Sequence, residues 1–176
     1  LTSEATRLEG FSVGEIIVHR HGRTLTDEHL AWTSRVMNTH PLHFDRLYSN
    51  AREGAMSGEP IVYGGLVLGW LLGLASRDVS ENALWEVGYH DGYHTQPAFA
   101  GDTISALSRI LQVVPVNASW GVMTTQIIGV KNISAEDALD RHGEALFRLE
   151  KDKKAAGESK ITDKIFEMER SLLVRR

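Results

Sequence analysis

The stretch Pro60-Ile61-Val62-Tyr63-Gly64-Gly65-Leu66-Val67-Leu68-Gly69-Trp70-Leu71-Leu72-Gly73-Leu74-Ala75-Ser76 decides how the rest of the chain is read. It holds no charged residue and four glycines, and it is slightly short for a membrane span. A helix that is apolar all round is a buried helix. Gly65, Gly69 and Gly73 recur every four residues and share one face. Each interior glycine costs roughly 1 kcal/mol relative to alanine. Three on one face therefore predict close approach to a neighbour, most simply a sheet. Leu66, Leu68, Trp70, Leu71, Leu72 and Leu74 fill the other faces. The helix body reads as core. Its mouth, at Tyr63, Gly64 and Gly65, reads differently. Helix N-termini present free N–H groups and partial positive charge, and two glycines let a ligand carbonyl reach them.

The remaining composition narrows the class. A chain of 176 residues with 42% apolar content reads as one domain, residues 1–176, with a sizeable core. A formal charge of −4 without a basic stripe argues against a nucleic-acid partner. The absence of cysteine excludes disulfides and thiolate chemistry, and it fits a reducing, cytoplasmic setting. The opening LTSEATRLEG has no apolar core, so it reads as a frayed segment and not as a secretory signal. No membrane partner is expected.

Outward from the apolar stretch, FSVGEIIVHRHGRT (11–24) reads as extended. Thr26 caps a helix expected to end near Asn38. Pro41 pushes His40 out of the helical region, and Asp45 caps a short helix through Ala51. After Ser76, strands are expected from Ala83 to about Val114 with a break at Gln96-Pro97 and Gly101-Asp102. Another runs from Trp120 to Val130, and the last from Ile161 to Val174. Ser134 starts a further helix. Glu144–Leu149 is open to helix or strand, and residues 152–160 read as a polar, mobile loop. A long apolar helix ahead of antiparallel strands implies an α+β fold with a sheet wrapped round that helix.

Asn38, His40, His43 and Asp45 form the densest polar cluster, immediately ahead of the buried helix. His43 is the natural acid/base, with an ordinary pKa near ~6.5. Asp45 or Asn38 would orient its ring. The competing reading is a surface loop with two solvated histidines. The ligand types in His40-x-x-His43-x-Asp45, and the pairs His19/His21 and His90/His94, also raise a metal. None sits on a helix with ligand spacing, so no metal site is assigned.

Asn-Thr-His-Pro-Leu-His-Phe-Asp (38–45) followed by Pro-Ile-Val-Tyr-Gly-Gly (60–65) resembles the hydratase motif of the MaoC-like dehydratases. Gln-Pro-Ala-Phe-Ala-Gly-Asp-Thr (96–103) resembles a strand opening of that family. Glu-Arg-Ser-Leu-Leu-Val-Arg-Arg (169–176) resembles the last strand of its mesaconyl-CoA hydratase branch. Residues 131–160 look like an insertion, helix or loop. The resemblance implies a hot-dog fold, paired as a homodimer or higher oligomer. It also implies addition or removal of water at the α,β double bond of an acyl-CoA thioester, with CoA part of the substrate and no separate cofactor. Carried over, the catalytic residues are His43 as acid/base, Asn38 as water holder and the Gly64 N–H as carbonyl donor. Tyr63, Gly65, His40 and Asp45 contribute to substrate binding. Asn38 stands where the family has an aspartate, Tyr63 where it has a histidine, and His40 where it has an asparagine. An amide cannot take a proton from water. The departures leave two alternatives beside the hydratase: a hot-dog thioesterase and a non-catalytic acyl-CoA binder.

Overall fold

The computed structural model describes residues 3–176. The expected α+β arrangement is present as one six-stranded antiparallel sheet laid on a long helix. In chain order come β1 (Ile16–Val18), β2 (Arg23–Thr24), α1 (Asp27–Trp32), α2 (Arg46–Asn50), α3 (Gly64–Ala75) and β3 (Ala83–His94). They are followed by β4 (Thr103–Pro115), β5 (Trp120–Lys131), α4 (Ala135–His142), α5 (Glu150–Ala155) and β6 (Lys164–Arg175). The strand order is β1-β4-β5-β6-β3, with β2 also paired to β4. Among the described residues, no helix is long and apolar enough to cross a membrane.

The helix α3 is the expected apolar stretch, but its glycines face the wrong way for the close approach expected of them. Val67, Leu71 and Ala75, spaced i, i+4, i+8, are buried against Ile104, Ala106, Ile127 and Phe166. Gly65, Gly69 and Gly73 lie on the exposed side, and a Cβ at Gly69 or Gly73 would touch nothing. The glycine that lets helix and sheet approach is on the sheet instead. A Cβ on Gly129 of β5 would lie 2.5 Å from Leu71 Cδ1 and 3.2 Å from Phe166 Cβ. Leu71 thus occupies a notch in the strand.

A second layer covers the opposite face of the sheet. Leu107, Ile128 and Val130 pack against Ala135, Ala138, Leu146 and Phe147. This explains why β5 is buried on both faces from Thr125 to Val130 and lacks polar alternation. Ser134 caps α4 through the Asp137 N–H, as expected. Gly143, at φ +52°, stops that helix. Residues 143–147 then form a 3-10 turn, not a strand.

Two other expectations are corrected. Residues 4–10 form two 3-10 turns and are not frayed, and Leu8 is buried beside Phe11, Ile110 and Leu172. Residues 1–2 lie outside the described residues. The supposed mobile loop at 152–160 opens as part of α5. Buried Glu150 and Lys153 there meet buried Lys164 and Glu167 of β6. Each charge in that quartet has an opposite charge within reach, which is the condition for burying it at all.

β3 forms one edge of the sheet. Its Leu84, Trp85, Val87, Tyr89 and Tyr93 are exposed, so the apolar alternation read from this strand does not describe a face turned to the core.

Candidate active site

His43 closes a 3-10 turn, Pro41–His43. Pro41 takes the first position, where its missing N–H costs nothing, and His40 is extended ahead of it. The His40 Nδ1 accepts the Leu42 N–H at 3.3 Å. His43 is 9% exposed, and its Nδ1 lies 3.0 Å from the Ile61 carbonyl oxygen. A carbonyl can only accept, so in the neutral ring Nδ1 carries the proton and Nε2 keeps its lone pair. The Ile61 N–H donates in return to Leu42 O at 3.1 Å, and Val62 N–H donates to Ala98 O at 2.8 Å. These bonds fix the His43 turn to the segment that runs into α3.

At the mouth of α3, Leu66 and Val67 N–H both donate to the Tyr63 carbonyl. Gly64 and Gly65 precede them, at the positions where a helix leaves its N–H groups free. Both glycines leave room for a neighbouring side-chain ring. A Cβ on Gly64 would lie 2.5 Å from His94 Nε2, and one on Gly65 would lie 2.6 Å from the Tyr63 ring. The Tyr63 ring in turn meets His43 edge-on, with centroids 5.5 Å apart.

His43, Tyr63, Gly64 and Gly65 line one cavity of about 610 Å³, together with His94 and Lys160. Two hollows of about 860 and 930 Å³ lie beside β1 and share Arg20, but neither includes the helix mouth.

The other three expected site residues do not line this cavity, and each has a local reason. Asn38 Oδ1 accepts the His40 N–H at 2.9 Å, closing a side-chain turn. His40 is exposed, with its Nδ1 committed to Leu42 and its ring 6.1 Å from that of His43. Asp45 Oδ1 accepts the Tyr48 N–H at 3.0 Å and caps α2. Asn38 and Asp45 therefore shape the loop that presents His43. Among the described residues no group of three or more His, Asp or Glu side chains gathers as a metal set.

The structure brings in two residues that sequence reasoning missed as parts of this site. His94 ends β3, with its ring 4.8 Å from that of Phe166 on β6 and its Nε2 edge over Gly64. The residue is exposed, and partial desolvation of the ring leans its pKa below the ordinary imidazole value. Lys160 ends the segment expected to be a mobile loop, and its Nζ donates to Thr95 O at 3.3 Å. Neither has a local signal. Their placement follows from the pairing of β3 with β6 (His94 opposite Phe166) and from the docking of α5 on β6.

A long helix on an antiparallel sheet, with its N-terminus and an imidazole opening on one cavity, defines a hot-dog domain. No protein-family model matches the chain. It is 34% identical over 132 residues to β-methylmalyl-CoA dehydratase of Chloroflexus aurantiacus, covering 73% of this chain and 36% of that protein. It is 30% identical over 134 residues to mesaconyl-CoA hydratase of Cereibacter sphaeroides, covering 75% and 37%. A solved structure from Chloroflexus aurantiacus, described as a MaoC domain protein dehydratase, superposes with a TM-score of 0.76 at 28% identity. That match covers 97% of this chain and 44% of the other. The chain belongs to the MaoC-like dehydratases of hot-dog fold. Its matches span little more than a third of the length of those two curated relatives.

Proposed function

We propose that this chain adds water to, or removes it from, the α,β double bond of an enoyl-CoA thioester. One observation carries the reading: an imidazole with a free Nε2 and the first amides of α3 line the same cavity. In the hydration direction, His43 Nε2 takes a proton from water as the oxygen bonds to Cβ. The electron pair of the double bond moves through Cα onto the thioester oxygen, which the Gly64 N–H stabilises. The imidazolium then returns the proton to Cα, restoring the thioester and the neutral ring. One backbone donor in such a site is worth about 3 kcal/mol.

The acyl group we propose is short, branched and carboxylated, of the mesaconyl type. Lys160 supports this, because it is the one cation on the cavity wall among the described residues. Pairing through the apolar edge of β3, with a second copy or a second hot-dog unit, belongs to the same reading.

The test is loss of conjugated-thioester absorbance from crotonyl-CoA and mesaconyl-CoA with wild type and His43→Ala. Turnover by wild type and its loss in the variant are expected. Full activity in His43→Ala ends the assignment, and release of free thiol without hydration makes the chain a thioesterase. Calorimetric binding of acyl-CoA with neither reaction makes it a non-catalytic binder.

A further inference from the structure

We propose that His94 is a second hydrogen-bond donor to the thioester oxygen, completing with the Gly64 amide an oxyanion site that joins α3 to the end of β3. The inference rests on the hydratase reading above and adds a residue from outside the motif.

Three observations carry it. First, the Nε2 edge of His94 occupies the space that a side chain at residue 64 would fill, so ring and amide share one corner of the cavity. Second, the exposed ring packs against Phe166 at 4.8 Å, and neither ring nitrogen has a hydrogen-bond partner among the described residues, so both stay open to a ligand. The other histidine bonded from β3 differs: His90 Nε2 is engaged by Ser171 Oγ at 2.8 Å. Third, the cavity wall carries no carboxylate among the described residues. Nothing on that wall repels the charge that develops on the thioester oxygen, and a single backbone N–H satisfies only one of its lone pairs.

The proton affinity of His94 suits this role. The ring is exposed on one side, and its partial desolvation leans it toward the neutral form. A neutral imidazole still presents one N–H, and it polarises a carbonyl without placing a full cation beside the reacting thioester. Donors fixed before the reaction starts are effective because they need no reorganisation as charge appears.

The experiment compares wild type with His94→Phe, which keeps a ring on Phe166 but has no donor, and with His94→Gln, which keeps a donor. Removing one oxyanion donor costs about 10²–10³ in kcat. His94→Phe is therefore expected to lose about 10²-fold in kcat with little change in KM, and His94→Gln is expected to recover most of that loss. The second readout is the infrared C=O stretch of bound butyryl-CoA labelled at the thioester carbon, which cannot be hydrated. It should move to lower frequency on binding wild type and His94→Gln, and less on binding His94→Phe.

Wild-type kcat and an undiminished carbonyl shift in His94→Phe overturn the inference while leaving the hydratase reading intact. Equal losses in both variants, tracking a lowered melting temperature, overturn it in favour of packing. A wild-type protein that neither turns over enoyl-CoA nor shifts the carbonyl overturns the hydratase reading and this inference together.

Discussion

Two buried histidines, His43 and His19, sit in settings that look alike and differ in one respect. His19 donates from Nδ1 to Asp78 Oδ2 at 2.8 Å and accepts from Ser108 Oγ at Nε2, at 2.9 Å. On paper this is a serine–histidine–aspartate relay. Yet Ser108 is 1% exposed, so no substrate carbonyl reaches its hydroxyl. Both nitrogens of His19 are used to join β1's end to β4 and to the turn after α3. His43 spends only Nδ1 and leaves Nε2 to the cavity wall. Hydrogen-bond order makes one ring a strut, while an unspent lone pair with access suits the other to the proposed role of base.

That contrast can be broken by experiment. The largest effect is expected from His43→Ala. Acid/base groups of this kind contribute about 10²–10⁴ in rate, so hydration should fall about 10³-fold, while stability drops by about 1–3 kcal/mol as the Ile61 carbonyl loses its partner. His19→Leu should differ in leaving turnover intact. It leaves Ser108 and Asp78 without their partner, at a cost of about 1–3 kcal/mol in denaturant unfolding, with kcat near wild type. A variant of His19 that loses turnover while keeping its unfolding midpoint would erase the distinction.

The pH dependence of stability sharpens it further. Burial lowers the His19 pKa, and Asp78 only partly offsets this. A histidine whose folded pKa lies below its unfolded value favours the neutral form when folded. Its contribution is therefore complete above the unfolded value near ~6.5 and declines as pH falls towards the folded pKa. Unfolding free energy should lose this acid-side slope in His19→Leu and keep it in His43→Ala. A smaller effect, about 1 kcal/mol, is expected for Ser108→Ala. Unaltered acyl-CoA chemistry in that variant would show that the relay is structural, whereas loss of thiol release would make it a hydrolase.

The comparison also bears on what could be read in advance. The long helix, the strand breaks at Pro97 and Gly101 and the Asp45 cap were legible because local chemistry fixes them: apolar content, turn residues and an Asx cap. The glycine face was misread because periodicity finds a face but not its direction. Here the space-saving glycine is Gly129, on the strand opposite. Gly129→Ala should cost about 1–3 kcal/mol by overpacking Leu71, and Gly69→Ala should gain about 1 kcal/mol from helix propensity. Thermal melts of the pair test this.

That His43 and Gly64 meet at one cavity was legible because two nearby stretches, 38–45 and 60–65, carry the family resemblance. Asn38 was placed in the chemistry by the resemblance and Asp45 by residue type beside its expected cap, and in the structure backbone N–H groups claim an oxygen of each. His94 and Lys160 enter the cavity through long-range pairing, which no local window contains. The charge on α5 hid its burial: Lys153 lies in the stretch read as a polar loop, and its pairing with Glu150, Lys164 and Glu167 appears only when β6 docks.

The bond from His43 to the Ile61 carbonyl has a mechanical consequence. Ile61 lies three residues before Gly64, so the proposed proton acceptor is leashed to the same short run of backbone that supplies the helix's leading amides. A drift of the rod along its axis would carry the ring with it. The spacing between the two is set by a few covalent links and one tether, and it need not be recovered each time the fold breathes.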